Sequence, residues 1–391
     1  MANTNLANAK TAKNDEFYTQ YADIQKEINA YLEYDPNVFR GKTVLLPCDD
    51  PEWSNFTKFF AQNFELLGLK KLISTSYAPD SKKYKMPYQP TLFESSQPYF
   101  DKDKSKTHGK IFVITDDVTG DGRININDLQ WQYLEGDGDF RSKEIRKLRD
   151  EADIIVTNPP FSLFREFVAW LIEADKLFII IGNMNAITYR DIFPLLKENR
   201  MWLGNGFQNG NAYFRVEAPR IEYADGVYDE KTSLVKFRNC CWFTNVELGK
   251  RHTFSTFMTL AKNLRYSRHA ELKGRKDYEH YDNYNAIEVP YVDAIPSDYD
   301  GVMGVPVSFF DNYCPEQFEV LGITKTWFKG YKTKIYPEQI QIDKYGKKKR
   351  VTKLNDGPVV LLDEPLDGET YYQVDGKLYE QKYVRILIRK R

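Results

Sequence analysis

The chain is poor in the residues that most often carry nucleophilic or metal chemistry, with four cysteines and four histidines among 391 residues. Cys48, Cys240, Cys241 and Cys314 show no Cys-x-x-Cys spacing, and the adjacent pair at 240–241 suits neither a zinc site nor an ordinary disulfide. They read as buried, reduced thiols. His252 and His269 are far apart in sequence and could meet only in space, so no Ser-His or metal constellation is expected. No run approaches the roughly 18 apolar residues of a membrane span, and the polar start Met1-Ala2-Asn3-Thr4-Asn5-Leu6 has no signal-peptide core. A cytoplasmic protein is the expectation. An excess of either charge is also missing: 55 basic residues face 56 acidic ones, whereas nucleic-acid binders often carry a basic surplus.

The charge is nevertheless uneven. Residues 321–391 hold 16 Lys and Arg against 9 Asp and Glu, densest at Lys347-Lys348-Lys349-Arg350 and in the terminal run Arg385 to Arg391. Such runs serve either as solvated loops or as phosphate-neutralising patches.

The most informative segment is Asp153-Ile154-Ile155-Val156-Thr157-Asn158-Pro159-Pro160-Phe161. Its short β-branched run suits a strand covered on both faces of a parallel sheet. Reactive groups gather beyond the carboxyl ends of such strands, where Asn158 falls. Pro159 and Pro160 stiffen the turn. An Asn oxygen and neighbouring carbonyls can accept hydrogen bonds from an exocyclic amino group, while Phe161 offers a face for a planar base. Against this stands a rigid Asn-Pro corner with Phe161 in the core. The following stretch, Leu163 to Ile172, reads as a helix, which completes a strand, loop and helix order.

These residues resemble the catalytic motif of amino-group methyltransferases that use S-adenosylmethionine, and more closely the EcoRI-type adenine-specific DNA methyltransferases. The likeness rests also on Cys48-Asp49-Asp50-Pro51 with Ser54-Asn55-Phe56, on Gly136 to Ser142, and on Ser162-Leu163-Phe164-Arg165-Glu166. Further on it includes Trp242-Phe243-Thr244-Asn245, Tyr281 to Ile287, and Asp300 to Pro306. It runs from about residue 14 to the C-terminus. The resemblance implies an α/β fold: a Rossmann-like class I methyltransferase sheet with helices on both faces, plus a C-terminal target-recognition region. The expected division is a loose tail at 1–13, a catalytic domain at 14–245 and a recognition region at 246–391.

Several elements are legible from pattern alone. Apolar positions at three- and four-residue steps predict a helix over 21–32, and Thr43 to Leu46 predicts the first core strand. A helix over 53–66 and strands at 71–77 and 110–115 follow, with 79–110 otherwise a polar insertion. Asp117-x-Thr119-x-Asp121-Gly122 with Asp128 at the twelfth position matches the spacing of a calcium loop. It departs from that pattern at positions three and twelve and in being entered from a strand, so a Gly-rich turn is the competing reading.

No Gly-x-Gly follows the first strand; Cys48-Asp49-Asp50-Pro51 stands in its place, as in the EcoRI-type group. By resemblance, Asp49 or Asp50 binds the methionine end or ribose of S-adenosylmethionine. Asp137 and Asp139 with Phe140 lie near its adenine, and Tyr18 with Thr19 closes over it. The second strand lacks a terminal acid, which leaves a ribose contact unassigned. Asn158, Pro159, Pro160 and Phe161 are the expected catalytic corner, with no metal. The implied activity is methylation of the 6-amino group of a flipped adenine in double-stranded DNA by a monomer, with a cognate restriction endonuclease left open. Two other readings remain: a glutamine-amide methyltransferase, which shares an Asn-Pro-Pro-aromatic motif, and a non-catalytic DNA-binding relative. Arg265 to His269 and Lys276 to Tyr284 are read either as base and phosphate contacts or as ordinary polar surface.

Overall fold

The computed structural model describes residues 18–49, 54–81, 95, 99–207, 211–215 and 227–391. The tail at 1–13 and Asp50 therefore lie outside the described residues. The chain divides into two compact units, one of residues up to 184 with 201–249, the other of 185–200 with 250–391. A linear cut near 245 would assign 185–200 to the first unit. Those residues instead pack with the second.

In chain order the strands of the first unit are β1 (Tyr18–Thr19), β2 (Thr43–Leu46), β3 (Lys71–Thr75), β4 (Lys110–Ile114), β5 (Gln130–Tyr133) and β6 (Ile154–Thr157). They continue with β7 (Leu177–Asn183), β8 (Trp202–Leu203), β9 (Asn211–Arg215), β10 (Tyr228–Asp229), β11 (Leu234–Arg238) and β12 (Cys240–Thr244). Eight of them form one mixed sheet in the order β5-β4-β3-β2-β6-β7-β12-β8. β3, β2, β6 and β7 run parallel. Strand order reverses direction between β2 and β6, which makes that junction the switch point of the sheet.

Burial on both faces explains the apolar runs. Val44, Leu46, Ile154, Val156, Ile179 and Ile181 join the core that includes Ile24, Ile28, Tyr31, Phe56 and Phe60 from two helices, Tyr21–Tyr34 and Asn55–Gln62. The alternate residues Leu45, Ile155, Phe178 and Ile180 are equally buried on the other face. There the Phe164–Glu173 helix approaches so closely that a Cβ at Gly182 would come within 2.4 Å of the Phe164 ring. The helix foreseen over 53–66 is interrupted at Asn63, whose side chain donates to the Phe59 carbonyl at 2.8 Å, and resumes at Phe64–Leu67.

The strand foreseen at 110–115 does not cross over to a parallel neighbour. β4 is antiparallel to β3 and pairs with β5 as a hairpin. The connecting loop is folded on its own carboxylates. Asp117 accepts from the amides of Gly120, Asp121 and Gly122, and Asp128 from those of Val118, Thr119 and Asn125. Among the described residues no group of three or more His, Cys, Asp or Glu could hold a metal. The loop makes a Gly-rich turn, with Gly120 and Gly122 at positive φ.

A second sheet in this unit has the order β1-β9-β11-β10. Glu27 anchors the chain that leads into it. Fully buried on the Tyr21–Tyr34 helix, it accepts from the Tyr31 hydroxyl and from the amides of Asn205 and Gly206, each at 2.9 Å.

The second unit contains β13 (Ile287–Glu288), β14 (Met303–Val305), β15 (Phe318–Ile323), β16 (Gln339–Ile342), β17 (Lys348–Val351), β18 (Val359–Leu362), β19 (Tyr371–Val374), β20 (Lys377–Gln381) and β21 (Ile386–Lys390). They form two sheets, β13-β14-β21-β15 and β17-β16-β19-β20-β18. Buried Arg385 pairs with buried Glu288, which also receives the Tyr281 hydroxyl. Phe193, from the 185–200 segment, packs edge-on against Trp327 and Phe328.

Replacing Glu27 by Ala removes the carboxylate acceptor of two half-buried amides. The expected loss is about 2–4 kcal/mol of stability, read from urea unfolding midpoints; a loss below about 0.5 kcal/mol contradicts the anchoring role.

Candidate active site

The carboxyl ends of β2 and β6 diverge after the paired positions Leu45 and Ile155, and a hydroxyl-rich cluster bridges the gap. Asp49, 5% exposed, accepts from the Thr157 hydroxyl at 2.6 Å and from the Ser54 hydroxyl at 2.8 Å. Ser54 in turn caps the Asn55–Gln62 helix by accepting from the Phe56 amide. Asn55 donates to the Thr19 carbonyl at 2.8 Å, which pins β1 to the start of the same helix. Ser74, at the end of β3, donates to the Asp49 carbonyl at 2.7 Å. One connected set of side chains therefore brings Thr19, Asp49 and the approach to Asn158 together.

The loop at 136–140 closes the other side. The Ala78 amide donates to the Asp137 carbonyl at 2.7 Å, and Gly138 adopts φ +83°. A Cβ there would lie 2.2 Å from the Ser76 carbonyl oxygen, so only glycine fits. Asp137 and Asp139 are half-buried. Asp139 is gripped by Arg141, which donates through Nε at 2.9 Å and Nη2 at 2.6 Å and also reaches Glu166. That guanidinium holds the Asp139 carboxyl below the ordinary range.

Tyr77, immediately after β3, was not foreseen. Burial and the charges of Asp137 and Asp139 raise its hydroxyl pKa, which places it among these acids where the sequence offers no strand-terminal carboxylate. Its position directly after Lys71-Leu72-Ile73-Ser74-Thr75-Ser76 was the available signal. Cys48 is half-buried, and burial together with the Asp49 charge pushes its thiol far above the usual range.

The ring of Phe140 packs on the Phe164–Glu173 helix. It is 5% exposed and packs edge-on against Phe167 and Trp170, with centroids 5.1 and 5.7 Å away. Its contribution is to seat the loop that carries Asp137 and Asp139.

Beyond β6 the corner is stiff, with Pro159 buried, Asn158, Pro160 and Phe161 half-buried, and a short helical turn at Phe161–Leu163. Two rings of the second sheet, Phe214 and Phe237, meet Phe161 nearly perpendicular at 6.4 and 6.2 Å. Phe161 is thus neither a core residue nor a free one: its edge contacts fix its plane. β9, which carries Phe214, is also the partner of β1. No motif marked β9, because its role comes from a pairing with residues about 200 positions earlier.

This geometry is that of an amino-group methyltransferase, and the chain belongs to the EcoRI family of adenine-specific methyltransferases, whose model matches residues 5–391. It is 40% identical over 82% of its length to the Type II methyltransferase M.EcoRI of Escherichia coli, covering 89% of that protein. M.MpnI of Mycoplasma pneumoniae is 34% identical over 80% of this chain and 83% of its own. M.MgeORF184P of Mycoplasma genitalium is 32% identical over 98% of this chain and 97% of its own. No solved structure matches the chain. Adenine specificity displaces the glutamine-amide reading.

A methyl donor is implied by the family. Thr19 Oγ1 is buried with no hydrogen-bond partner among the described residues.

Gly138→Ala combines a strained φ with a backbone collision. It is expected to cost at least about 2 kcal/mol in thermal or urea unfolding; wild-type stability would show that the loop does not need this close approach.

Proposed function

We propose that the chain methylates the 6-amino group of an adenine flipped out of double-stranded DNA, with Asn158 and the Pro159 carbonyl gripping the amino group. What carries this reading is the position of Asn158: it follows β6 at the switch point of the sheet, one residue after a side chain locked to the β2 loop. We read the sheet as Rossmann-like, with the first unit catalytic and the second recognising DNA.

The amino nitrogen of adenine is a weak nucleophile because its lone pair is delocalised into the ring. Accepting its two N–H groups at Asn158 and Pro159 favours a pyramidal nitrogen with a directed lone pair, so no strong general base is required. S-adenosylmethionine supplies the electrophilic methyl group. Held between Thr19, the Asp49 loop, Tyr77 and Asp137, it would meet the nitrogen in line. Such positioning can supply roughly 7–11 kcal/mol of barrier reduction. Phe161, its plane fixed by Phe214 and Phe237, stacks on the flipped base and offsets part of the few kcal/mol that unstacking costs.

Within the second unit the two basic runs differ. Arg385 is consumed by Glu288, Arg389 pairs with Glu319, and Ile386 to Ile388 are the buried part of β21. By contrast, Lys347, Lys348, Lys349 and Arg350 are all exposed on and beside the edge strand β17, and no ion pair joins them to a carboxylate among the described residues. They suit the DNA backbone. Of the Lys276 to Tyr284 stretch, Tyr278, Tyr281 and Tyr284 are buried and do not read bases.

The reading is tested by incubating the protein with labelled S-adenosylmethionine and unmodified DNA and mapping the modified adenines; cofactor binding without transfer to any DNA would sink it. Asn158→Ala should abolish turnover while cofactor affinity stays within about a few-fold, since its contact is made to the base. Replacing Lys348, Lys349 and Arg350 by Gln should weaken binding of all DNA sequences alike and flatten the plot of log affinity against log salt by about 0.9 per lost phosphate contact. An unchanged salt slope places the DNA elsewhere.

A further inference from the structure

The resemblance assigns Asp49 to the methyl donor, but its surroundings support a different task. We propose that Asp49 is a positioning residue that sets the orientation of Asn158 through Thr157, and is not a ligand of the methyl donor. The inference rests on the proposed role of Asn158.

Three observations carry it. Asp49 is 5% exposed and Thr157 fully buried, so their 2.6 Å hydrogen bond is made away from water, where a charge-assisted contact is strong. The second carboxylate oxygen receives the Ser54 hydroxyl at 2.8 Å, and the Asp49 carbonyl receives Ser74 at 2.7 Å. Asp49 is therefore fixed from β3 and from the Asn55–Gln62 helix, and can act as a rigid post. Finally, Thr157 is the last residue of β6 and is joined by one peptide bond to Asn158. β2 and β6 are also tied at their other ends, where the Thr43 amide donates to the Asp153 carboxylate at 2.7 Å. The strand is thus clamped at both ends, and the clamp next to Asn158 is the one a small change can loosen.

Thr157→Val keeps shape and removes the hydroxyl donor, while Thr157→Ser keeps the donor. The valine variant should lose roughly 10- to 100-fold in single-turnover methyl transfer, the scale expected of a small misplacement of a reacting group. Its cofactor affinity by calorimetry should stay within about threefold, and the serine variant should recover most of the rate. A wild-type rate in Thr157→Val overturns the proposal, as does a loss of cofactor affinity that accounts for the loss of rate. Should the valine variant fail to fold, Asp49→Asn decides: a positioning role predicts a slower rate with cofactor affinity nearly intact, and a direct ligand of a cationic donor predicts at least about tenfold weaker binding. Asn158→Ala runs alongside. If it transfers methyl groups normally, the reading of the whole corner fails; if it is inactive while Thr157→Val is normal, only the role of Asp49 fails.

Discussion

A parallel sheet that reverses its strand order opens a crevice because two neighbouring strands lead their chains in opposite directions, and something must stop that crevice from gaping. In this protein a buried carboxylate does so. Asp49 bonds across the opening to Thr157, and the hydroxyls of Ser54 and Ser74 hold it from behind. The acids of the 136–140 loop, the β1 strand and the proline corner are all arranged around that junction. Burying such a charge is costly unless each oxygen finds a donor, which explains why Ser and Thr, rather than apolar residues, occupy the ends of β3 and β6.

What the sequence made legible is what depends on short-range pattern. The strands Thr43–Leu46 and Ile154–Thr157 were visible as brief β-branched runs, and the stiffness of Asn158-Pro159-Pro160 follows from proline itself. What stayed hidden depends on partners far along the chain. Glu27 looks like one more charged residue on a helix until Asn205 and Gly206 arrive, about 180 positions later, to use its carboxylate. Nothing in the sequence around Phe140 shows that its ring packs on Phe167 and Trp170, where its apolar area is buried. β5 is only four residues long and alternates Gln with Trp and Tyr, so its pairing with β4 does not stand out from the loop before it.

Charge counting shows the same limit. Two basic runs of similar density have different fates, since Arg385 lies in a buried ion pair while Lys347 to Arg350 face solvent. Composition treats them alike. Only the presence or absence of a nearby carboxylate separates a structural cation from one available to a polyanion.

The segment 185–200 leaves the first unit after β7, contributes Phe193 to the aromatic cluster with Trp327 and Phe328, and returns to the first unit as β8. The chain therefore passes from one unit to the other three times, at 184, 200 and 249. No single crossover between two genes of this family could exchange one unit intact, because any join near 249 would leave residues 185–200 of one parent packing into the interior of another. Two units interleaved in this way must evolve by substitution within a shared chain, not by swapping modules.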